Sequence, residues 1–211
     1  MSNPFPRKAK IIGGVITDIT EFPFAIIIRN PDNRVRCGGA IISNKHILTA
    51  AHCVEDSSVR SKLKIVTGTT TLSGSHKSVK GNIVFNKYQN KIDLPSSNVD
   101  AGSNAIVVGW GQVNKNVTKD SEELNKAWMT VLDNKECAMT HPFHIADEQL
   151  CAYQKVNVGL CTGDSGGPLV SNGKLIGIAS FGLPCATGIS DIYTRVFSFK
   201  DYIIGVMAIE A

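Results

Sequence analysis

"GLCTGDSGGPLV", residues 159–170, sets one serine between an aspartate and a pair of glycines. Glycine accepts backbone angles that a side chain forbids, so the chain can turn sharply around Ser165 and present its amides. A lone Ser-Gly-Gly is usually a hairpin loop. Here a second motif stands far upstream: "LTAAHC", residues 48–53, places His52 beside Cys53. A serine hydroxyl attacks only when a base takes its proton, and the oxyanion that forms needs fixed donors. His52 supplies a base, Ser165 a hydroxyl, and the amides of Gly163 and Ser165 a pair of donors.

Bulk properties limit the alternatives. The 211 residues allow one large domain or two small ones on a shared plan, and 43% hydrophobic with 19% charged residues describes a chain with a real core. The net charge of +4 is scattered, and "FPRKAK" (5–10) is too short a basic run to imply a nucleic-acid partner. No apolar run approaches the ~18 residues of a membrane span, so no membrane partner is expected. The opening "MSNPFPRKAK" lacks the apolar middle of a signal peptide.

The six cysteines, at 37, 53, 137, 151, 161 and 185, include no C-x-x-C pair. That spacing disfavours a metal site and favours disulfides, in fifteen conceivable connectivities. Disulfides imply an oxidising compartment, hence an extracellular protein whose leader is missing from the sequence as it stands.

Short β-branched runs bounded by Gly, Asn, Asp or Ser read as strands: 24–29, 38–43, 63–68, 82–85, 105–110, 127–132, 174–180 and 191–196. The tail "FSFKDYIIGVMA" is the exception, with Phe199, Tyr202, Ile203 and Val206 at helical spacing for one buried face. An all-β chain, barrel or sandwich, with a C-terminal helix is therefore expected.

Four signatures then carry a resemblance to the chymotrypsin-like serine proteases: "IIGG" (11–14), "LTAAHC" (48–53), "VVGWG" (107–111) and "GDSGGPL" (163–169). It covers nearly everything after Lys10. It implies a trypsin-like fold of two antiparallel β-barrels, the first over about 24–100 and the second over about 101–197, with a helix over about 198–208 and a protease domain spanning 11–211. It implies His52 as general base, Ser165 as nucleophile, and Gly163 and Ser165 as the oxyanion hole. It also implies the bridges Cys37–Cys53, Cys137–Cys151 and Cys161–Cys185. Residues 1–10 correspond to an activation segment, and cleavage at Lys10–Ile11 would let the Ile11 amine pair with Asp164. The uncleaved chain thus resembles an inactive precursor. No cofactor or metal is implied. The partners implied are protein or peptide substrates and protease inhibitors, for a monomeric enzyme.

The third catalytic member, an aspartate followed by "IALL" or a variant, has no match. In chymotrypsin the histidine and serine lie about 138 residues apart, with the aspartate about 45 after the histidine. Here His52 and Ser165 are 113 apart, short by about 25 against that template. Landmarks from Trp110 onward keep ordinary spacing, so the deficit falls earlier, in "VFNKYQNKIDLPSSNVDAGS" (84–103). Asp93 lies near the template distance, but Leu94 and Pro95 follow it, and proline cannot donate within a central strand. The expectation is loss of the aspartate with its strand, leaving an incomplete first barrel and impaired proteolysis. The alternative is an inactive homologue that binds protein partners.

The base of the primary pocket corresponds to Gly159, with Gly182 leaving room for a substrate strand. Asp191 falls on the pocket wall, a pattern similar to the arthropod collagenolytic proteases. It reads equally as a solvated turn residue. "NVT" (116–118) is a glycosylation sequon on Asn116. His141 and His144, in "HPFH", read as a surface loop and not as metal ligands.

Overall fold

Glycine, asparagine and serine clusters cut the apolar runs into short strands, and the computed structural model pairs them into two sheets. It describes residues 11–73, 78–112, 119–181 and 185–209; Lys10 with the rest of the leader, Asn116 and Gly182 lie outside the described residues. The strands are β1 (Val15–Ile16), β2 (Ala25–Arg29), β3 (Val35–Ile41), β4 (Ile47–Leu48), β5 (Lys64–Val66) and β6 (Asn104–Gly109). They continue with β7 (Asn125–Leu132), β8 (Gln149–Tyr153), β9 (Pro168–Ser171), β10 (Lys174–Phe181) and β11 (Asp191–Arg195). Short helices α1 (Ser57–Arg60) and α2 (Asn134–Ala138) precede the final α3 (Lys200–Ile209).

The second sheet closes on itself. Its order β7-β6-β9-β10-β11-β8 returns to β7 through the β7–β8 pairing, and β1 adds to the outside of β7. Closure hides the strand edges. Along β7 the side chains alternate as a barrel wall requires: Ala127, Met129 and Val131 point inward, while Trp128 and Thr130 are exposed. Val107, Leu150, Leu169, Ile176 and Tyr193 complete that interior.

The first sheet stays open. Its four strands run β4-β3-β2-β5 and do not return to the start. All of β2 is buried, including Ile26, Ile27 and Ile28, because its two faces are both covered. Each such isoleucine contributes about 1.5–3 kcal/mol of burial. The expected strand at 82–85 is absent: the Ile83 amide bonds the Asn44 carbonyl in a loop (2.7 Å) instead of a ladder partner. Residues 78–92 lie irregularly over the sheet, pinned by Ile83 and by Ile92, whose amide reaches Ile41 (2.9 Å). The first barrel is incomplete, as the short spacing foretold.

The final helix forms, but its inward face differs from the expected one. Only Ile203 is buried, with Met207 packed partly against the same core, while Phe199, Tyr202 and Val206 face outward. Residues 203 and 207 stand one turn apart and share a single contact line, which is all that the helix lays on the first core.

An open four-stranded sheet should breathe more readily than a closed barrel. Hydrogen exchange is expected to run at least ~10-fold faster at the ladder amides within 24–90 than at those within 105–197. Equal protection in both halves would show that residues 78–92 replace the missing strand energetically.

Candidate active site

The distant motifs meet because backbone ties draw them together. The Cys37–Cys53 bridge fixes the 3-10 turn Ala51–Cys53, which carries His52, to β3. From β3 the Gly38 amide donates to the Ser165 carbonyl (2.8 Å), and the Thr49 hydroxyl donates to the Gly38 carbonyl (2.8 Å). Gly166 packs against this junction at φ +77°. A Cβ there would collide with the Thr49 hydroxyl and lie 2.6 Å from the Gly38 carbonyl oxygen. The glycine after the serine is thus required by the approach of the two sheets.

His52 and Ser165 line one cleft of ≈ 580 Å³ together with Arg36, Leu160, Gly163 and Phe181. The amides of Gly163 and Ser165 donate to no described group. Gly163 adopts φ +95°, with the Gly111 Cα 3.1 Å from where a Cβ would sit, so only glycine fits the turn. Two idle amides beside a hydroxyl are the arrangement an oxyanion needs.

The His52 ring is exposed and makes no hydrogen bond to any described residue. Asp93 does not serve it. Its two oxygens accept from Lys91 and Lys174 at 3.0 Å each, and those bonds hold its pKa below the usual carboxylate range. The Asp93 backbone docks on β10, where the Leu175 amide bonds its carbonyl (3.0 Å). His52 lies close to the sulfurs of Cys37 and Cys53, but these are joined to each other and offer no thiolate to a metal. The other two bridges are Cys137–Cys151 and Cys161–Cys185.

Two carboxylates are buried behind the cleft. Asp164 accepts from the amides of Gly111 (2.8 Å) and Cys161 (3.1 Å). Burial pushes its pKa up to about 7; the two amides oppose this, and Asp120 adds to it. No described cation pairs with it; Ile11 is fully buried and Ile12 bridges to Gly159.

Asp191 is 3% exposed, which overturns the solvated-turn reading. It accepts from the Leu160 amide (2.9 Å), and its Oδ2 lies 2.6 Å from where a Cβ on residue 159 would be. Burial pushes its pKa, too, up to about 7. Gly159 therefore does not open the base of the cleft, because the Asp191 carboxylate fills the space it leaves. Leu160 lines the cleft in place of both. Nearby, the buried Tyr193 hydroxyl has no partner among the described residues.

His141 is also buried and not on a surface loop. Its Nε2 lies 3.0 Å from the Ser190 carbonyl and hydroxyl oxygens, tying the segment after α2 to the start of β11. His144 is exposed. Arg36, Thr49 and Tyr193 went unnoticed in the sequence. Their only signal was adjacency to Cys37, His52 and Asp191, too weak to single them out.

Comparison with known proteins agrees with this geometry. A profile described as Trypsin matches residues 11–83 and 76–203, two pieces that overlap at 76–83, just before the stretch where the spacing falls short. Chymotrypsin-2 of Vespa crabro is 32% identical over 219 residues, covering 92% of this chain and 98% of its own. Since 92% of 211 is about 194, about 25 of those aligned positions have no counterpart here. Serine protease SP24D of Anopheles gambiae (31% identical, 95% and 82% covered) and Trypsin I-P1 of Gallus gallus (30%, 94% and 90%) are similar as well. Among solved structures, neuropsin, a serine protease expressed in the limbic system of mouse brain, shares the fold. Its TM-score is 0.82 at 22% identity, with 92% of this chain and 98% of that one covered. The chain belongs to the trypsin family.

The buried carboxyls make stability depend on pH. Both titrate near 4 when unfolded and near 7 when folded, so the folded chain holds the extra protons between those values. Their contribution is full below about pH 4 and is lost as pH rises towards 7. Asp164→Asn should shift stability relative to the parent in the variant's favour by a few kcal/mol between pH 4 and 8. Urea titrations across that range would show it; a constant difference would mean that Asp164 stays ionised throughout.

Proposed function

We propose that the chain is an extracellular serine endopeptidase with impaired turnover, acting on protein or peptide substrates. One observation carries it: His52, Ser165 and two unengaged amides share a cleft, while no described carboxylate bonds the histidine. Ser165 Oγ would attack the scissile carbonyl as His52 takes its proton, and the amides of Gly163 and Ser165 would hold the oxyanion. His52 would then protonate the leaving amine, and water would repeat the cycle on the acyl-enzyme. Without an orienting carboxylate the imidazole is not fixed in the productive tautomer. In chymotrypsin that loss costs about 10⁴ in turnover, roughly 5.4 kcal/mol.

Activation belongs to the same proposal. Cleavage at Lys10–Ile11 would create an amine for Asp164, and a carboxyl pushed up to about 7 by burial is a group short of a cation. A monomer open to protease inhibitors fits the exposed cleft. The unbonded His52 ring favours a second reading, an inactive homologue that retains the cleft only for binding. A fluorophosphonate probe separates the two. On the processed chain it should label Ser165 slowly, and Ser165→Ala should abolish the adduct in intact mass. Absence of any adduct would select the binding protein.

Asp191 is the specificity element of this proposal. From the space beside Gly159, behind the Leu160 wall, its charge would add acceptance of Arg and Lys to a cleft that takes Phe, Tyr and Leu. In a version with about 25 residues restored after Tyr88, the length set by the template spacing, Asp191→Gly should depress cleavage after Arg and Lys and spare Phe. In the parent the Arg-over-Phe ratio should rise as pH passes about 7, where Asp191 ionises. A parallel loss of both activities would make Asp191 a shape-holder only.

A further inference from the structure

We infer that Arg36 forms an anion subsite in the cleft, which selects peptides carrying an acidic side chain close to the bond held at Ser165. The inference deepens the proposed function and rests on peptides occupying this cleft. Arg36 directly precedes bridged Cys37 on β3, so the disulfide that fixes His52 also fixes the backbone from which Arg36 extends. Its guanidinium is held by three acceptors: Nε donates to the Cys53 carbonyl (2.6 Å), one Nη to the His52 carbonyl (3.4 Å), and the other to Asn30 Oδ1 (3.4 Å). A guanidinium has five N–H groups, so one remains on each terminal nitrogen. Such a side chain is already ordered before a ligand arrives, which lowers the entropy cost of binding.

Arg36 forms no ion pair among the described residues. Asp56 is the acid whose charge it feels, but that carboxylate caps α1 and accepts from the Ser58 amide (2.9 Å) and hydroxyl (2.6 Å). Arg36 and His52 are the only titratable groups among the described residues of the cleft wall, and both are basic. Asp164 and Asp191 lie buried behind the wall. A partly desolvated cation with two idle donors and no counter-ion attracts a carboxylate, and guanidinium matches carboxylate better than an ammonium does.

The test uses full-length chain carrying Ser165→Ala, so that binding is read without catalysis. Octapeptides centred on Phe would carry one Glu at each flanking position in turn, each paired with a Gln twin, and be compared by fluorescence anisotropy. At one position Glu should bind about five- to tenfold tighter than Gln at low salt, with the ratio shrinking at high salt. Arg36→Gln should bring the ratio to about one, and Arg36→Lys should retain a reduced, salt-sensitive preference. Equal binding of all twins in the parent, or no binding of either, overturns the subsite. So does a ratio preserved in Arg36→Gln while both affinities fall, because Arg36 would then only brace the His52 turn. Failure of fluorophosphonate labelling bears on catalysis alone and leaves this ratio readable.

Discussion

The hydrogen bond from the Gly38 amide to the Ser165 carbonyl is the contact on which the site depends. It joins a strand of the open sheet to the turn that leads into the closed barrel. Neither residue can move without moving a motif: Gly38 is one step from the Cys37–Cys53 bridge that anchors His52, and Ser165 is the nucleophile candidate. The bond needs backbones at close range, and glycines at 38, 166 and 167 allow it. A Cβ on Gly38 would stand 3.0 Å from the Gly167 Cα. The two sheets therefore meet through backbone, where side chains would hold them apart.

That arrangement makes the missing strand tolerable for the geometry of the cleft. The turn around Ser165, Leu160 and Phe181 belong to the closed barrel, whose strands are all paired. From the open-sheet half come Arg36, Cys37 and His52, secured locally by the Cys37–Cys53 disulfide and by hydrogen bonds to neighbouring carbonyls. The His52 ring, on a backbone held in this way, makes no hydrogen bond to any described residue. On the proposed function, the cleft keeps its shape while no described carboxylate orients its histidine.

Legibility followed the range of the interactions. The turn around Ser165 and the apolar runs of β2, β6, β7 and β10 depend on residues within a few positions, and the sequence displays them directly. The open first sheet was legible as a spacing deficit, because chain length is countable where a contact is not. The run at 82–85 misled, since β-branched residues predict a strand only if a ladder partner exists, and the Ile83 amide bonds the Asn44 carbonyl of a loop instead. The helix face misled for a related reason: 199, 202 and 206 have the right period but no surface to meet. Asp191 and His141 were misjudged because burial is a tertiary fact. Each is polar in a turn-like context, yet each finds its partners, Leu160 and Ser190, across tens of residues.

Charge placement links these features. The fold hides two carboxylates behind the cleft and leaves an arginine and a histidine on its wall. Burial with only amide donors holds Asp164 and Asp191 near neutrality in pKa, so each responds strongly to a cation brought close. On the proposed function those cations are a new N-terminal amine for Asp164 and a basic substrate side chain for Asp191. Arg36 is the converse case, a cation already in place and lacking an anion. None of the three groups forms an ion pair among the described residues, and on these proposals each is completed from outside the resting structure, by cleavage or by ligand.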